Sequence, residues 1–129
     1  MARIIIDTSS LLFGMRFNKS VVDIAKESFP DYELLIPKAV ISELLQISSN
    51  RGNRGAEARA ILSILGYKNI TNKNNNVKVH KHNQEYADKW ILSNAAAEDI
   101  VVTNDTKLLV KLLSSHIRVL RVSIDGKLR

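Results

Sequence analysis

Ala2-Arg3-Ile4-Ile5-Ile6-Asp7-Thr8-Ser9-Ser10 opens the chain with a short, β-branched, apolar run that stops at a carboxylate. A run that is apolar without alternation marks a strand buried on both faces, the kind found in parallel sheets covered by helices. Ala2 to Asp7 is therefore expected to be a buried parallel strand, with Thr8, Ser9 and Ser10 supplying hydroxyls that cap the next element. The same pattern recurs outward along the chain. Tyr32 to Ile36, Ile100 to Thr103 and Ile117 to Val122 read as three more strands, the first two of them buried.

Helical periods fill the intervals. Ser20 to Phe29 has Val21, Ile24, Ala25 and Ser28 near one face and is broken by Pro30-Asp31. Pro37 opens the next helix, where its missing N–H costs nothing, and Val40, Ile41, Leu44, Leu45 and Ile47 follow the helical spacing. Ser48 to Gly55 is a polar, glycine-containing loop, and Ala56 to Leu65 is a helix ended by Gly66. Asn69 to Val79 reads as a surface loop, Gln84 to Ala97 as a helix, and Asp105 to Ser115 as a helix with Leu108, Leu109, Leu112 and Leu113 inward. Asp125-Gly126 signals a turn. Strands alternating with helices predict an α/β fold with a mostly parallel sheet covered on both faces.

Four acids stand at the ends of apolar segments. They are Asp7 after the first strand, Glu43 on the helix opened by Pro37, Asp88 in Tyr86-Ala87-Asp88-Lys89-Trp90, and Asp105 after Ile100-Val101-Val102-Thr103-Asn104. Ligands gather at the carboxyl ends of parallel strands, so these carboxylates are expected to converge. Singly, each has an ordinary explanation: a turn cap for Asp7, a solvated helix position for Glu43, a partner of its own helix for Asp88, an N-cap for Asp105. Together they form a set of hard oxygen donors suited to Mg²⁺ or Mn²⁺. Such an ion polarises a phosphoryl oxygen and activates water, which is what phosphodiester hydrolysis at neutral pH requires.

The composition sets bounds. The chain has 129 residues, 45% hydrophobic and 25% charged, which fits one ordinary globular domain. Its net charge of +6 favours polyanionic partners, chiefly nucleic acid or an anionic membrane surface, and does not by itself choose between them. It has no cysteine, so disulfides, thiolate metal sites and cysteine nucleophiles are excluded. No stretch approaches the roughly 20 apolar residues of a membrane span, and no signal-peptide pattern opens the chain, so a cytoplasmic location without membrane contact is expected. Gly-rich phosphate loops and the nucleophile elbow of hydrolases are missing. His80, His82 and His116 read as solvated histidines rather than zinc ligands.

The acidic segments carry a resemblance to the PIN domain family of metal-dependent ribonucleases, extending from Ile4 to about Val122. Ile5-Ile6-Asp7-Thr8-Ser9 resembles the first motif of the family and Ile36 to Leu44 the second. Asp88 to Leu92 takes the place of the third acidic position, and Ile100 to Leu108 is similar to the last motif, the most specific of the set. The resemblance implies a three-layer α/β/α sandwich and an endoribonuclease that cleaves single-stranded or locally unpaired RNA with metal-activated water. It implies that Asp7, Glu43, Asp88 and Asp105 bind Mg²⁺ or Mn²⁺, with Asp7 and Asp105 as principal ligands. It also implies that Thr8, Ser9, Thr103 and Asn104 orient carboxylates or waters. Lys89 stands where relatives often have a second acid, which implies that one ion is held more firmly than two.

Arg51 to Ala58 and the tail Arg121 to Leu128 look like a compact archaeal subgroup similar to the nucleases that process small-subunit ribosomal RNA. VapC-type toxins, paired with an antitoxin, share the four acids, and a catalytically silent binding scaffold is a third reading. Partners expected on this basis are RNA, a second copy of the chain, and an antitoxin or a ribosome-assembly protein. Because an acidic pocket repels phosphate, RNA must be gripped by basic groups around it. Arg16, Lys19, Arg51, Arg54, Arg59, Lys107 and Lys111 are the candidates, with the arginines favoured for two-pronged phosphate binding.

Overall fold

The computed structural model describes residues 1–67 and 86–129. The elements are β1 (Arg3–Ile6), α1 (Thr8–Arg16), α2 (Val21–Ser28), β2 (Glu33–Leu35), α3 (Lys38–Ser48), α4 (Asn53–Ile64), α5 (Ala87–Asn94), β3 (Ile100–Val102), α6 (Thr106–Ser114) and β4 (Arg118–Leu120). The strands form one sheet in the order β2-β1-β3-β4. Every pairing is parallel, with Ile5 opposite Leu35 and Val101, and Val101 opposite Val119.

Alternation along the central strands divides the core between two faces. Ile4, Ile6, Ile100 and Val102 join the larger cluster with residues of α1 to α4, including Leu12, Val21, Leu44 and Leu62. Ile5 and Val101 point the other way, onto Ile91 of α5 and Leu108 and Leu112 of α6. The result is the expected α/β/α sandwich, with β1 and β3 covered on both faces.

Several sequence expectations are corrected. The sequence pattern does not announce α1: its Thr, Ser and Gly residues are weak helix formers. Tertiary contacts override that preference. The buried Ser10 hydroxyl donates to Asp7 O at 2.8 Å, and a Cβ on Gly14 would lie 2.4 Å from Val21 Cγ2, so the missing side chain lets α2 pack closely. α4 begins at Asn53 rather than Ala56, which moves Arg54 and Gly55 from the loop into a helix. The turn before it is made by Gly52 at φ +92°. β2 is a half-buried edge strand rather than a fully buried one, β4 forms the other, equally half-buried edge, and Leu113 is exposed rather than inward. The loop expected over Asn69–Val79, the histidines His80 and His82, and the start of the helix expected from Gln84 lie outside the described residues. Among the described residues no helix is long and apolar enough to cross a membrane.

Candidate active site

From β1 the chain reaches β2 on one side, and β3 and β4 lie on the other, so the carboxyl ends of β1 and β3 bracket a topological switch point where open sheets bind ligands. Asp7 extends the ladder there, its N–H donating to Val102 O at 2.9 Å. Its side chain is buried, and Oδ2 accepts from Ser9 Oγ at 2.9 Å and from Thr103 Oγ1 at 2.8 Å. The two hydroxyls are themselves anchored. Ser9 Oγ accepts from the Asn104 amide at 3.0 Å, and Thr103 Oγ1 from the Asp105 amide at 3.1 Å. With the amides donating in, each hydroxyl directs its only proton to Asp7. Burial pushes the Asp7 carboxyl above its ordinary pKa, against the hydrogen bonds from Thr103, Ser9 and the Thr8 backbone, and the nearby Glu43 adds to the rise.

Glu43 reaches the same region from α3. Its Oε1 accepts from Thr8 Oγ1 at 2.6 Å and its Oε2 from the Ala87 amide at 3.0 Å. Glu43 therefore ties α3 to α1 and to the first turn of α5, where a negative charge meets the positive end of the helix dipole. Asp88 comes next on that turn, with Oδ1 accepting from the Lys89 amide at 2.9 Å. Asp105 caps α6, its Oδ1 accepting from the Lys107 and Leu108 amides at 2.9 and 3.3 Å.

All four acids line one cleft of about 380 Å³, together with Thr8, Ser9, Gln46 and Arg54. The donors are oxygens, which suits a hard divalent cation, and a buried carboxylate with a raised pKa among three other acids is the electrostatic situation that such a cation relieves. As the side chains stand, no three acidic or histidine groups among the described residues are gathered tightly enough to cage an ion.

The remaining expected residues divide clearly. Thr8, Ser9 and Thr103 hold carboxylates as described. The Asn104 side chain does not: Nδ2 donates to Val122 O at 2.9 Å and Oδ1 accepts from Val122 N at 3.0 Å, and only its backbone amide serves the acidic network. Of the basic candidates, Arg54 lines the cleft. Arg59 Nη1 donates to the carbonyls of Ser48 and Asn50, at 2.7 and 3.3 Å, and so closes the α3–α4 turn. Arg16 approaches Glu57 at 3.9 Å, and the Lys19 stem lies against Gly126. Arg51, Lys107 and Lys111 are exposed outside the cleft. The cleft also includes Tyr86, 69% exposed at its rim, which carried no sequence signal beyond preceding the third acid.

The family model for the PIN-like domain matches residues 4–124. The chain belongs to the PIN-like domain family. Its PIN-like fold is similar to the solved structure of the PIN domain endonuclease Utp24, with a TM-score of 0.66 and 22% identity over 98% of this chain and 89% of that one. Among curated proteins none matches the chain.

Proposed function

We propose that this PIN-like protein is a divalent-metal-dependent endoribonuclease that uses the cleft at the carboxyl edge of its sheet. The observation that carries the reading is the convergence of Asp7, Glu43, Asp88 and Asp105, from four separate elements, around one cleft. The family and the likeness to an endonuclease agree with it. Asp7 and Asp105 are the residues that would hold Mg²⁺ or Mn²⁺, with Glu43 and Asp88 completing the acidic wall. The ion, when bound, supplies Lewis-acid polarisation of a phosphoryl oxygen and activation of water. The chain itself supplies orientation. The Ser9 and Thr103 hydroxyls fix the Asp7 carboxylate, Thr8 and the Ala87 amide fix Glu43, and the α6 cap fixes Asp105. Arg54 places a cation at the edge of the acidic cleft, where a substrate phosphate needs one.

Purified protein incubated with RNA and Mn²⁺ tests the reading against the Asp105→Asn variant. Asparagine is also a good N-cap, so this change removes the charge while keeping the α6 cap. Cleavage by the parent, abolished by chelator and by the substitution, supports a metal-dependent nuclease; equal cleavage by both proteins would sink it. The finer reading is RNA processing, ribosomal RNA first, supported by the resemblance of the Arg51–Ala58 and tail segments. Tolerated expression with co-purifying ribosomal RNA supports processing, whereas growth arrest relieved by a small co-expressed partner would make the protein a toxin.

A further inference from the structure

The sheet order has a consequence for the strand edge beyond Asp105. β4 lies beside β3, so the residues after β4 flank those after β3. Two contacts fix this neighbourhood: the paired Asn104–Val122 hydrogen bonds, and Arg121 Nη2 donating to Thr106 Oγ1 at 3.1 Å. The tail then folds back. Val122 bridges Leu128 in antiparallel fashion, the Arg129 amide donates to Arg121 O at 2.8 Å, and Gly126 takes φ +81° in the turn between them. This folded-back tail and α1 border an open groove of about 770 Å³, lined among others by Phe13, Asn104, Arg121, Ile124 and Arg129. Asn104 lines the groove and Asp105 lines the acidic cleft, so the two depressions adjoin at consecutive residues along the carboxyl edge.

We infer that this groove holds the single-stranded RNA segment that continues from the cleaved phosphate, an inference that rests on the ribonuclease reading above. The chemistry of the lining suits such an occupant. Arg121 is exposed and presents a guanidinium, the group best shaped for phosphate oxygens. The groove's one acid, Asp125, is paired with Arg129 at 3.0 Å, which leaves Arg121 as the uncompensated charge of the lining. Half-buried Phe13 and Ile124, which is 65% exposed, offer apolar surface to bases. Only unpaired bases can lie on such a shelf, so the groove selects single strands. Arg54 in the acidic cleft and Arg121 in the adjoining groove give the strand two cationic holds along its passage by the carboxylates.

The test measures affinity for labelled single-stranded RNAs of increasing length, from a dinucleotide upward, in the Asp105→Asn background so that nothing is cleaved. Arg121→Ala and Arg121→Glu are compared with that parent across a salt series, and melting curves establish that each variant is folded. The expected affinity loss is smallest for the dinucleotide and grows with length to about tenfold for Arg121→Ala. It is larger for Arg121→Glu, and the salt slope falls by about 0.7 for each lost phosphate contact. Length-dependent binding that is identical in all three proteins overturns the groove and leaves the nuclease reading standing. A parent that binds no RNA of any length overturns both.

Discussion

Asp7 and Asp105, on neighbouring strand ends, are joined through a single side chain: Thr103 Oγ1 accepts from the Asp105 amide at 3.1 Å and donates to Asp7 Oδ2 at 2.8 Å. Thr103 is fully buried, so neither bond has water as a substitute. Thr103→Val keeps the shape but loses the donor to Asp7 and the acceptor for the Asp105 amide. The expected cost is about 2 kcal/mol, because the buried Asp7 carboxylate and the part-buried Asp105 amide each lose a partner. RNA cleavage should fall at least about tenfold with it, as a misplaced carboxylate no longer meets its charge partner. Thr103→Ser keeps the hydroxyl and should restore most of both quantities. Chemical denaturation and single-turnover cleavage of the two variants check the pair of expectations, and a valine variant as active as the parent would remove Thr103 from the positioning network.

The Asp7 carboxyl, raised above its ordinary pKa chiefly by burial, gives a stability effect of defined sign. Between the ordinary value near 4 and the raised value, the folded state binds more protons than the unfolded state, so stability falls as pH rises through that window. Asp7→Asn removes the buried charge while keeping an acceptor for both hydroxyls. In chelator near neutral pH the variant should melt higher than the parent, and the difference should vanish below about pH 4. Adding Mn²⁺ should raise the melting temperature of the parent and leave the variant unmoved, since only a ligand bound by the folded state stabilises it. A parent that is insensitive to Mn²⁺ would favour a silent scaffold.

The layout of this site was legible where the signal is local. Asp7 and Asp105 end buried apolar runs, and parallel strands bring such ends together regardless of the loops between. α1 was not legible, because Gly14 and Ser10 lower helix propensity at the positions where close packing needs them, and that need exists only once Val21 and Val102 are in place. The contact of Glu43 with the Ala87 amide spans 44 positions and has no sequence periodicity to announce it. Arg59 looked like a phosphate ligand for the same reason: nothing local reveals that the carbonyls of Ser48 and Asn50 turn toward it.

At the opposite edge of the sheet Arg3 and Asp99 form a second polar junction. Asp99 is 1% exposed and accepts from the Arg3 amide at 3.0 Å, the Arg3 guanidinium at 2.8 Å and the Ala96 amide at 2.8 Å. Burial disfavours its charge, yet the bonds from Arg3 and Ala96 outweigh that and hold its pKa below the ordinary value. The stability it contributes is therefore present above the ordinary value and lost as pH falls through the depressed one. Asp99→Ala should cost about 2 kcal/mol near neutral pH, because it leaves the Arg3 and Ala96 amides without their acceptor, while the part-exposed guanidinium keeps its bond to Asn94 O at 2.9 Å. The cost should shrink in acid, when the parent also loses the charge. Urea denaturation at several pH values measures it, and a pH-independent difference would assign the loss to packing alone.

Two helices end with a side-chain-bearing residue where glycine is the usual choice. After α1, Asn18 has φ +58°, with the Lys19 amide donating to Gly14 O and the Asn18 amide to Met15 O. After α6, His116 has φ +61°, with the Ile117 amide donating to Leu112 O and the His116 amide to Leu113 O. Gly66 after α4 makes the same paired closure without a Cβ. The left-handed conformation costs a residue with a Cβ roughly 1 kcal/mol, and less for asparagine, which tolerates it. Histidine has less allowance, and the His116 side chain is exposed. His116→Gly is expected to stabilise the protein by up to about 0.5 kcal/mol, the net of relieved strain and added unfolded-state entropy. Asn18→Gly should gain less. Both should raise the denaturation midpoint without changing the slope. A destabilised His116→Gly variant, or a larger gain at Asn18, would mean that the imidazole makes a contribution that outweighs its backbone strain.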